Sequence, residues 1–242
     1  KFEGLALKAV PDDPNHDLHP SKVCERPKVI YNKKTKKFVM WIHAESADYS
    51  MAAAGVAVSD RPEGPYEYIG SFRPNETMSR DQTLFVDDDG TAYHIHSAEE
   101  NLTLNIAELT PDYLDYTGRY IRLAPGGHNE APTIMKRDGV YWMITSGCTG
   151  WDPNEARMFK SKSIWGPWEQ LPSPFRGEGA NKSFYTQGTY IFKIQGTDQY
   201  VFMADRWIPR SLKNSRHIWL PIEYDTDGTP LLYWKDSWTI GN

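Results

Sequence analysis

The chain has 242 residues, 39% of them hydrophobic and 24% charged, which is the balance of a folded globular chain and excludes a long disordered tail. Its formal charge of −5 comes without any basic run, which argues against a nucleic-acid partner, because phosphates require clustered Lys and Arg. No apolar stretch approaches the roughly 20 residues of a membrane span, and two cysteines, Cys24 and Cys148, are too few for a disulfide framework or a structural zinc site.

In chain order, residues 1–22 hold one short apolar run, Glu3-Gly-Leu-Ala-Leu-Lys8, followed by a polar loop. The chain opens on Lys1 without a Met, so we expect residues ahead of it. Four segments then align in register: Glu25-Arg-Pro-Lys-Val-Ile30, Asp81-Gln-Thr-Leu-Phe-Val86, Glu130-Ala-Pro-Thr-Ile-Met135 and Gln187-Gly-Thr-Tyr-Ile-Phe192. Each opens on a carboxylate or amide, has Pro or Thr third, and enters an apolar strand. A polar turn follows each time: Asn32 to Lys37, Asp87-Asp-Asp-Gly90, Arg137-Asp-Gly139 and Gln195-Gly-Thr-Asp198. Asp-Gly signals a hairpin because Gly tolerates the positive φ that such turns need.

Aromatic-rich returning strands come next, at Phe38–Ile42, Ala92–His96, Val140–Ile144 and Gln199–Met203. Third strands are expected at Ala54–Val58, Thr103–Ala107, Ala156–Lys160 and His217–Ile222, with short fourth strands such as Tyr66–Gly70 and Leu232–Lys235. Helical periodicity is absent. Four-stranded antiparallel units repeated at this spacing are propeller blades. The fold expected is all-β, a five-bladed β-propeller with most of the first blade absent from this chain, as one domain over 1–242. Its boundaries are a first-blade remnant at 1–22 and further blades at about 23–78, 79–127, 128–180 and 181–242. A self-contained four-bladed ring is the rival.

In a propeller the innermost strands run along one axis, so equivalent registers form a ring. That places Glu25, Asp81, Glu130 and Gln187 around one mouth. Clustered carboxylates repel, so at least one is expected to have a raised pKa. Clustered carboxylates also bind Ca²⁺, but Asp87-Asp88-Asp89-Gly90 reads as a turn, so no metal or cofactor is expected. His94 and His96 lie two apart on one strand and face the same side, where packing is the simpler reading. Asp205-Arg206-Trp207 reads as an ion pair beside an aromatic. The aromatic content of 13% suits β structure and also surfaces that stack on sugar rings.

At these residues the sequence resembles glycoside hydrolase family 43, and within it the exo-β-1,3-galactanase subfamily. The matching stretches are Glu25-Arg-Pro-Lys-Val-Ile-Tyr-Asn32, Ser79-Arg-Asp-Gln-Thr-Leu-Phe-Val-Asp-Asp-Asp-Gly90, Glu130-Ala-Pro132, Thr145-Ser-Gly-Cys-Thr-Gly-Trp-Asp-Pro-Asn154 and Ala204-Asp-Arg-Trp207. The resemblance implies a five-bladed, inverting enzyme that removes galactose from β-1,3-galactan. It implies Glu130 as general acid, Asp81 as the carboxylate that tunes the acid and orients the sugar, and Gln187 as holder of the attacking water. Glu25 matches a substrate-binding carboxylate, and Tyr49, Asn101, Thr149 and Asp152 match sugar contacts. Trp151 is either a stacking platform or a buried core residue. The chain departs from the family in lacking most of blade one.

The partner implied is thus an oligo- or polysaccharide, with an arabinofuranosidase or β-xylosidase, or a truncated carbohydrate-binding propeller, as alternatives. Three sequons, at Asn75, Asn101 and Asn181, fit a secreted, periplasmic or cell-surface location.

Overall fold

The computed structural model describes residues 3–240, and strands dominate it, with only short 3-10 turns beside them among those residues. It divides into two compact units, residues 1–127 and 128–242. The first unit holds two four-stranded antiparallel sheets. One is ordered β1 (Val23–Asn32), β2 (Lys37–Glu45), β3 (Ala53–Ser59) and β4 (Glu67–Phe72). The other is ordered β5 (Gln82–Val86), β6 (Ala92–Ala98), β7 (Thr103–Leu109) and β8 (Tyr116–Leu123).

The second unit repeats the plan with β9 (Asn129–Arg137), β10 (Val140–Gly147), β11 (Arg157–Ser161) and β12 (Glu169–Leu171). Its remaining strands are β13 (Phe175–Arg176), β14 (Gln187–Lys193), β15 (Tyr200–Arg206), β16 (Arg216–Pro221), β17 (Glu223–Tyr224) and β18 (Pro230–Tyr233). Here the expected fourth strand departs from the pattern. β14, β15 and β16 form a three-stranded sheet, whereas β18 pairs antiparallel with β17 and parallel with β13. Pro221 closes β16, and the chain turns at Ile222, which leaves β18 to take the edge offered by Phe175.

The short apolar run from Glu3 to Lys8 forms no strand. Among the described residues before Val23 the chain runs in bends and turns. It is fastened instead by single bonds, with Tyr66 N donating to Ala6 O at 2.7 Å and the Tyr68 hydroxyl to Asp17 at 2.8 Å. Leu18 packs with Met40, Ile42 and Tyr66, so this segment covers one face of the first sheet.

The turns behave as their residues dictate. The Asn32 side-chain oxygen accepts from the amides of Lys34 and Thr35, at 2.9 and 3.0 Å, an Asx turn that closes the lysine-rich hairpin. Asp138 and Gly139 both take positive φ, 51° and 74°, as a tight hairpin requires. In the core of the first unit, Trp41 is fully buried, stacks on His94 at 5.0 Å and donates its indole N–H to Tyr113 O at 2.9 Å. His94 and His96 stack at 4.8 Å with both rings buried, and burial pushes the His96 pKa down to about 4.

Three of the four repeat openings share one irregularity. Glu25 faces His43 and Lys28 faces Trp41; Glu130 faces Ser146 and Thr133 faces Ile144; Gln187 faces Asp205 and Tyr190 faces Met203. In each case one extra residue is inserted on the opening strand within three residues after the carboxylate or amide, which is a β-bulge. Arg26 and Ala131, directly after the two glutamates, both have left-handed backbone, with φ of 51° and 50°. Pro27 and Pro132 fit here because a bulge does not need the amide that proline lacks. The Asp81 opening is different: Gln82 to Val86 pairs with His96 to Ala92 in unbroken register.

β14 packs beside β9, and a Cβ added at Gly188 would stand 3.1 Å from the Thr133 side chain and 3.3 Å from the Phe202 ring. Gly188→Ala should therefore destabilise by about 1–3 kcal/mol of overpacking. Calorimetry checks this. Adding Thr133→Ser, which deletes the crowding methyl, should recover part of the loss.

Candidate active site

In the first unit, Glu25 and Asp81 are each held by a dedicated partner. The Arg26 guanidinium grips Asp81 with two bonds, Nε to Oδ1 at 2.8 Å and Nη2 to Oδ2 at 3.0 Å, both side chains being largely buried. Burial alone would raise the Asp81 pKa, but the charge and hydrogen bonds of Arg26 outweigh it and hold the carboxyl below its usual range. The left-handed bulge at Arg26 also aims its carbonyl at the Gln82 amide, which donates at 3.1 Å.

Glu25 sits in a closed circuit of polar contacts. The Tyr49 hydroxyl donates to Glu25 Oε1 at 2.8 Å, and Glu25 Oε2 lies 3.2 Å from His43 Nδ1. His43 Nε2 lies 3.1 Å from Glu45 Oε2. Glu45, fully buried, accepts the amides of Ser46, Met51 and Ala52 on its other oxygen, at 2.9, 2.7 and 2.9 Å. Those amides belong to the loop that carries Tyr49, so the circuit closes on itself. Burial works to raise the pKa of both glutamates, yet the bonds win. Glu25 is lowered by His43 and Tyr49, and Glu45 is brought to about 2 by His43 and the loop amides. His43 is raised: burial opposes its charge, but Glu25, Glu45 and Asp81 favour it. Glu25 and Asp81 are thus not carboxyls with a raised pKa, because each has its own cationic or donor partner.

In the second unit, Ser146 lies across the strand pair from Glu130 and also accepts the Gln187 side-chain Nε2 at 2.9 Å. The Trp207 indole N–H donates to Gln187 Oε1 at 3.1 Å. An indole can only donate, so the atom facing it is the amide oxygen and the orientation of Gln187 is fixed. A cavity of about 240 Å³ opens here, lined in part by Ser146, Trp151, Asp152, Tyr185, Gln187 and Trp207. Trp151 is half exposed and meets Trp207 edge-on at 5.8 Å, which decides against a buried core role. A larger cleft in the first unit, about 510 Å³ beside Asp87 to Thr91, contains none of the predicted site residues.

Residues 27–230 match the glycosyl hydrolases of family 43. The chain belongs to that family. It is similar to a family 43 β-1,3-galactosidase solved with galactodeoxynojirimycin, at 48% identity and a TM-score of 0.96, covering 98% of this chain and 83% of that one. An exo-β-1,3-galactanase from Phanerochaete chrysosporium, solved with galactose, matches at 35% identity and a TM-score of 0.85, covering 94% of this chain and 52% of that one. The β-D-galactofuranosidase xynD of Aspergillus niger is 28% identical over 171 residues, 67% of this chain and 49% of its own. The chain thus spans about half the length of two of these relatives. Family 43 neighbours are β-propellers.

Glu25, Tyr49 and Asp81 lie together in the first unit, whereas in the second Gln187, Trp151 and Asp152 line one cavity and Glu130 lies across the strand pair from the cavity-lining Ser146. Asn101 lies in the β6–β7 turn with left-handed backbone from Glu99 to Asn101, φ 54° to 63°. Arg80 ties that turn to the Tyr49 loop, lying 2.7 Å from Glu100 and donating to Tyr49 O at 3.1 Å. The Thr149 hydroxyl is engaged inside its own loop, donating to Asp152 O at 2.5 Å and accepting from Asn154 at 2.7 Å. Both cysteines are thiols, with no disulfide. Asp205 takes His217 Nδ1 at 2.8 Å, while Arg206 lies over the Trp234 ring at 5.0 Å and donates to Phe184 O, so residues 205 and 206 engage three further partners.

Sequence reasoning missed Arg26, His43, Glu45 and Ser146. A signal was present for two of them: His43 and Glu45 share one face of an otherwise apolar strand, and such alternating charges require a partner.

A histidine whose pKa rises on folding adds stability that is fully present below its unfolded value of about 6.5 and is lost as pH climbs through the raised value. Urea unfolding midpoints should therefore fall as pH is raised from about 6.5, and His43→Gln should flatten that limb. The acid limb, to which Glu45 with its pKa near 2 contributes, should become shallower in the variant but not vanish, because the loop amides still favour the Glu45 carboxylate, with stability declining as pH falls below about 4.5.

Proposed function

We propose that this family 43 chain is an inverting, exo-acting galactan 1,3-β-galactosidase that removes galactose from β-1,3-galactan, the core of arabinogalactan. The observation that carries the reading is the fixed Gln187 amide beside the Glu130 strand, held by Ser146 and Trp207. The substrate class is supported by the chain's similarity to a β-1,3-galactosidase and to an exo-β-1,3-galactanase holding galactose.

Inversion needs an acid for the leaving oxygen and an oriented water on the opposite face of the sugar. Glu25 and Asp81 are held ionised by their own partners, which suits them to accept sugar hydroxyls and leaves Glu130 as the proton donor. Gln187 is scarcely basic, so it orients water and does not deprotonate it. The transition state is oxocarbenium-like, and a water attacking so electrophilic a carbon becomes acidic as its bond forms. Glu130 protonates the leaving oxygen as the C1–O bond breaks, the water oxygen bonds to C1, and the excess proton passes late to solvent water, so Gln187 need only orient the attacking water. Tyr49, Asn101, Thr149, Trp151 and Asp152 complete the contacts in this reading.

We read the four strand units as blades of a five-bladed propeller, most of whose first blade lies outside these residues. A polymer of this kind cannot cross a membrane, so the enzyme acts outside the cytoplasm, secreted or at the cell surface.

The test is release of free galactose from β-1,3-galactan, with arabinan and xylan as controls. Glu130→Gln should cut turnover by about 10²–10⁴-fold, with a smaller loss on an aryl galactoside whose phenolate needs little protonation. Gln187→Ala should slow both substrates. Equal losses on both substrates for Glu130→Gln would remove it from the acid role, and release of arabinose or xylose in place of galactose would overturn the substrate assignment.

A further inference from the structure

Ser183, Phe184 and Tyr185 all have left-handed backbone, with φ of 49°, 56° and 61°, although none is glycine. Such a conformation is costly for each, and three in succession persist only where the surroundings over-determine them. Two of the three are visibly anchored. The Ser183 hydroxyl accepts the Ala156 amide and donates to Asn154 O, both at 2.8 Å. Phe184 is buried, edge-on to Phe175 at 5.1 Å and to Trp234 at 5.8 Å, and its amide donates to Gly179 O at 3.0 Å. Thr186 closes the turn from the other side, its hydroxyl donating to Ser183 O at 2.7 Å.

The third residue gains nothing of that kind from the fold. The Tyr185 ring is 60% exposed and lines the cavity shared with Trp151, Asp152 and Gln187. A turn that served only to connect Gly179 to β14 would favour Gly or Asn at this φ. The fold thus holds an aromatic ring in an unfavourable backbone state at the rim of the cavity that contains Gln187. Trp151, half exposed, supplies a second apolar wall.

We infer that Tyr185 is a sugar-stacking platform for the galactose being released, and that it reads the configuration at C4. The inference rests on the activity proposed above. In galactopyranose the axial O4 leaves the hydrogens of C3, C4 and C5 on one face, a continuous apolar patch that fits an aromatic plane. In glucopyranose O4 is equatorial and that patch is broken. The water held by Gln187 must approach C1 from the face opposite the leaving oxygen, so a ring two residues before Gln187, lining the same cavity, serves the released sugar and not the departing chain.

The test uses the full chain and three variants, Tyr185→Ala, Tyr185→Phe and Tyr185→Asn. Galactose and glucose binding are titrated by calorimetry, and KM is measured on β-1,3-galactobiose and β-1,3-galactotriose. Tyr185→Ala should weaken galactose binding roughly 3- to 10-fold, the scale of one aromatic contact, and leave the weaker binding of glucose unchanged. Tyr185→Phe should retain galactose affinity. KM should rise by the same factor for the biose and the triose.

Tyr185→Asn separates this role from a structural one. Asn tolerates the left-handed backbone, so its thermal midpoint should equal or exceed the parent's while galactose affinity falls. Parent-like galactose binding by the Ala or Asn variant would overturn the platform, as would a KM increase confined to the triose. A parent chain that binds no galactose and releases none from galactan would overturn the activity reading itself, an outcome distinct from either of these.

Discussion

The inserted residue at the start of an opening strand is the constraint on which the rest of the site depends. A regular strand sends successive side chains to opposite faces, so a carboxylate at the mouth of a strand would be tied to the parity of the apolar residues behind it. One added residue breaks that parity. Glu25, Glu130 and Gln187 each precede such a bulge, while the residues beyond it return to regular pairing and supply the buried Ile30, Ile134 and Ile191. Arg-Pro, Ala-Pro and Gly-Thr are three chemically different ways to make it. At Asp81 the register is unbroken, and the side chain is aimed by Arg26, which the neighbouring bulge throws toward it.

Charge is managed by pairing within short reach. Two ionised carboxylates held close together repel each other and lose hydration, and each is costly without a partner. Arg26 gives Asp81 a bidentate cation, the geometry in which guanidinium and carboxylate match best. Glu25 receives a phenol and an imidazole. Glu45 plays a different part. It never reaches the surface, and its three backbone donors fix the loop that presents Tyr49. His43, shared by Glu25 and Glu45, couples loop position to the charge of Glu25.

Much of the fold is legible in the sequence because its signals are local. Hairpin turns such as Asp138-Gly139 and the aromatic returning strands depend on φ preference and alternation, both written in adjacent residues. The repeat openings are legible as a pattern for the same reason. The bulges are harder to see, although Pro27 and Pro132 mark them, because a proline third in a strand fits the repeat as well as it signals a missing donor. The last unit departs from the repeat at β18, whose partner, Phe175, lies far away in sequence. The partners of the site residues are the least legible of all. Arg26 adjoins Glu25 in sequence but serves Asp81, 55 positions away. Trp151 is ambiguous in sequence, since an aromatic in a loop is consistent with either burial or display, and only its exposure separates the two.

If Gln187 holds the attacking water, as proposed, the use of an amide where a base would be expected follows from the same electrostatics. A carboxylate at position 187 would face Asp205 directly across the strand pair. That aspartate is already buried and already engaged with His217. A second negative charge at that point would be repelled and would raise one of the two pKa values, leaving a group protonated when it was needed ionised. The Trp207 indole would still have an acceptor, but the Ser146 hydroxyl would have to turn and donate, undoing its present role as acceptor. Glutamine avoids both conflicts: it is neutral at every working pH, its oxygen is fixed by the indole, and its nitrogen is fixed by the serine. What it gives up is proton affinity, and in the proposed reading an oxocarbenium-like transition state lets the attacking water lose its proton late, to solvent, so that a weakly basic but well-aimed group is enough.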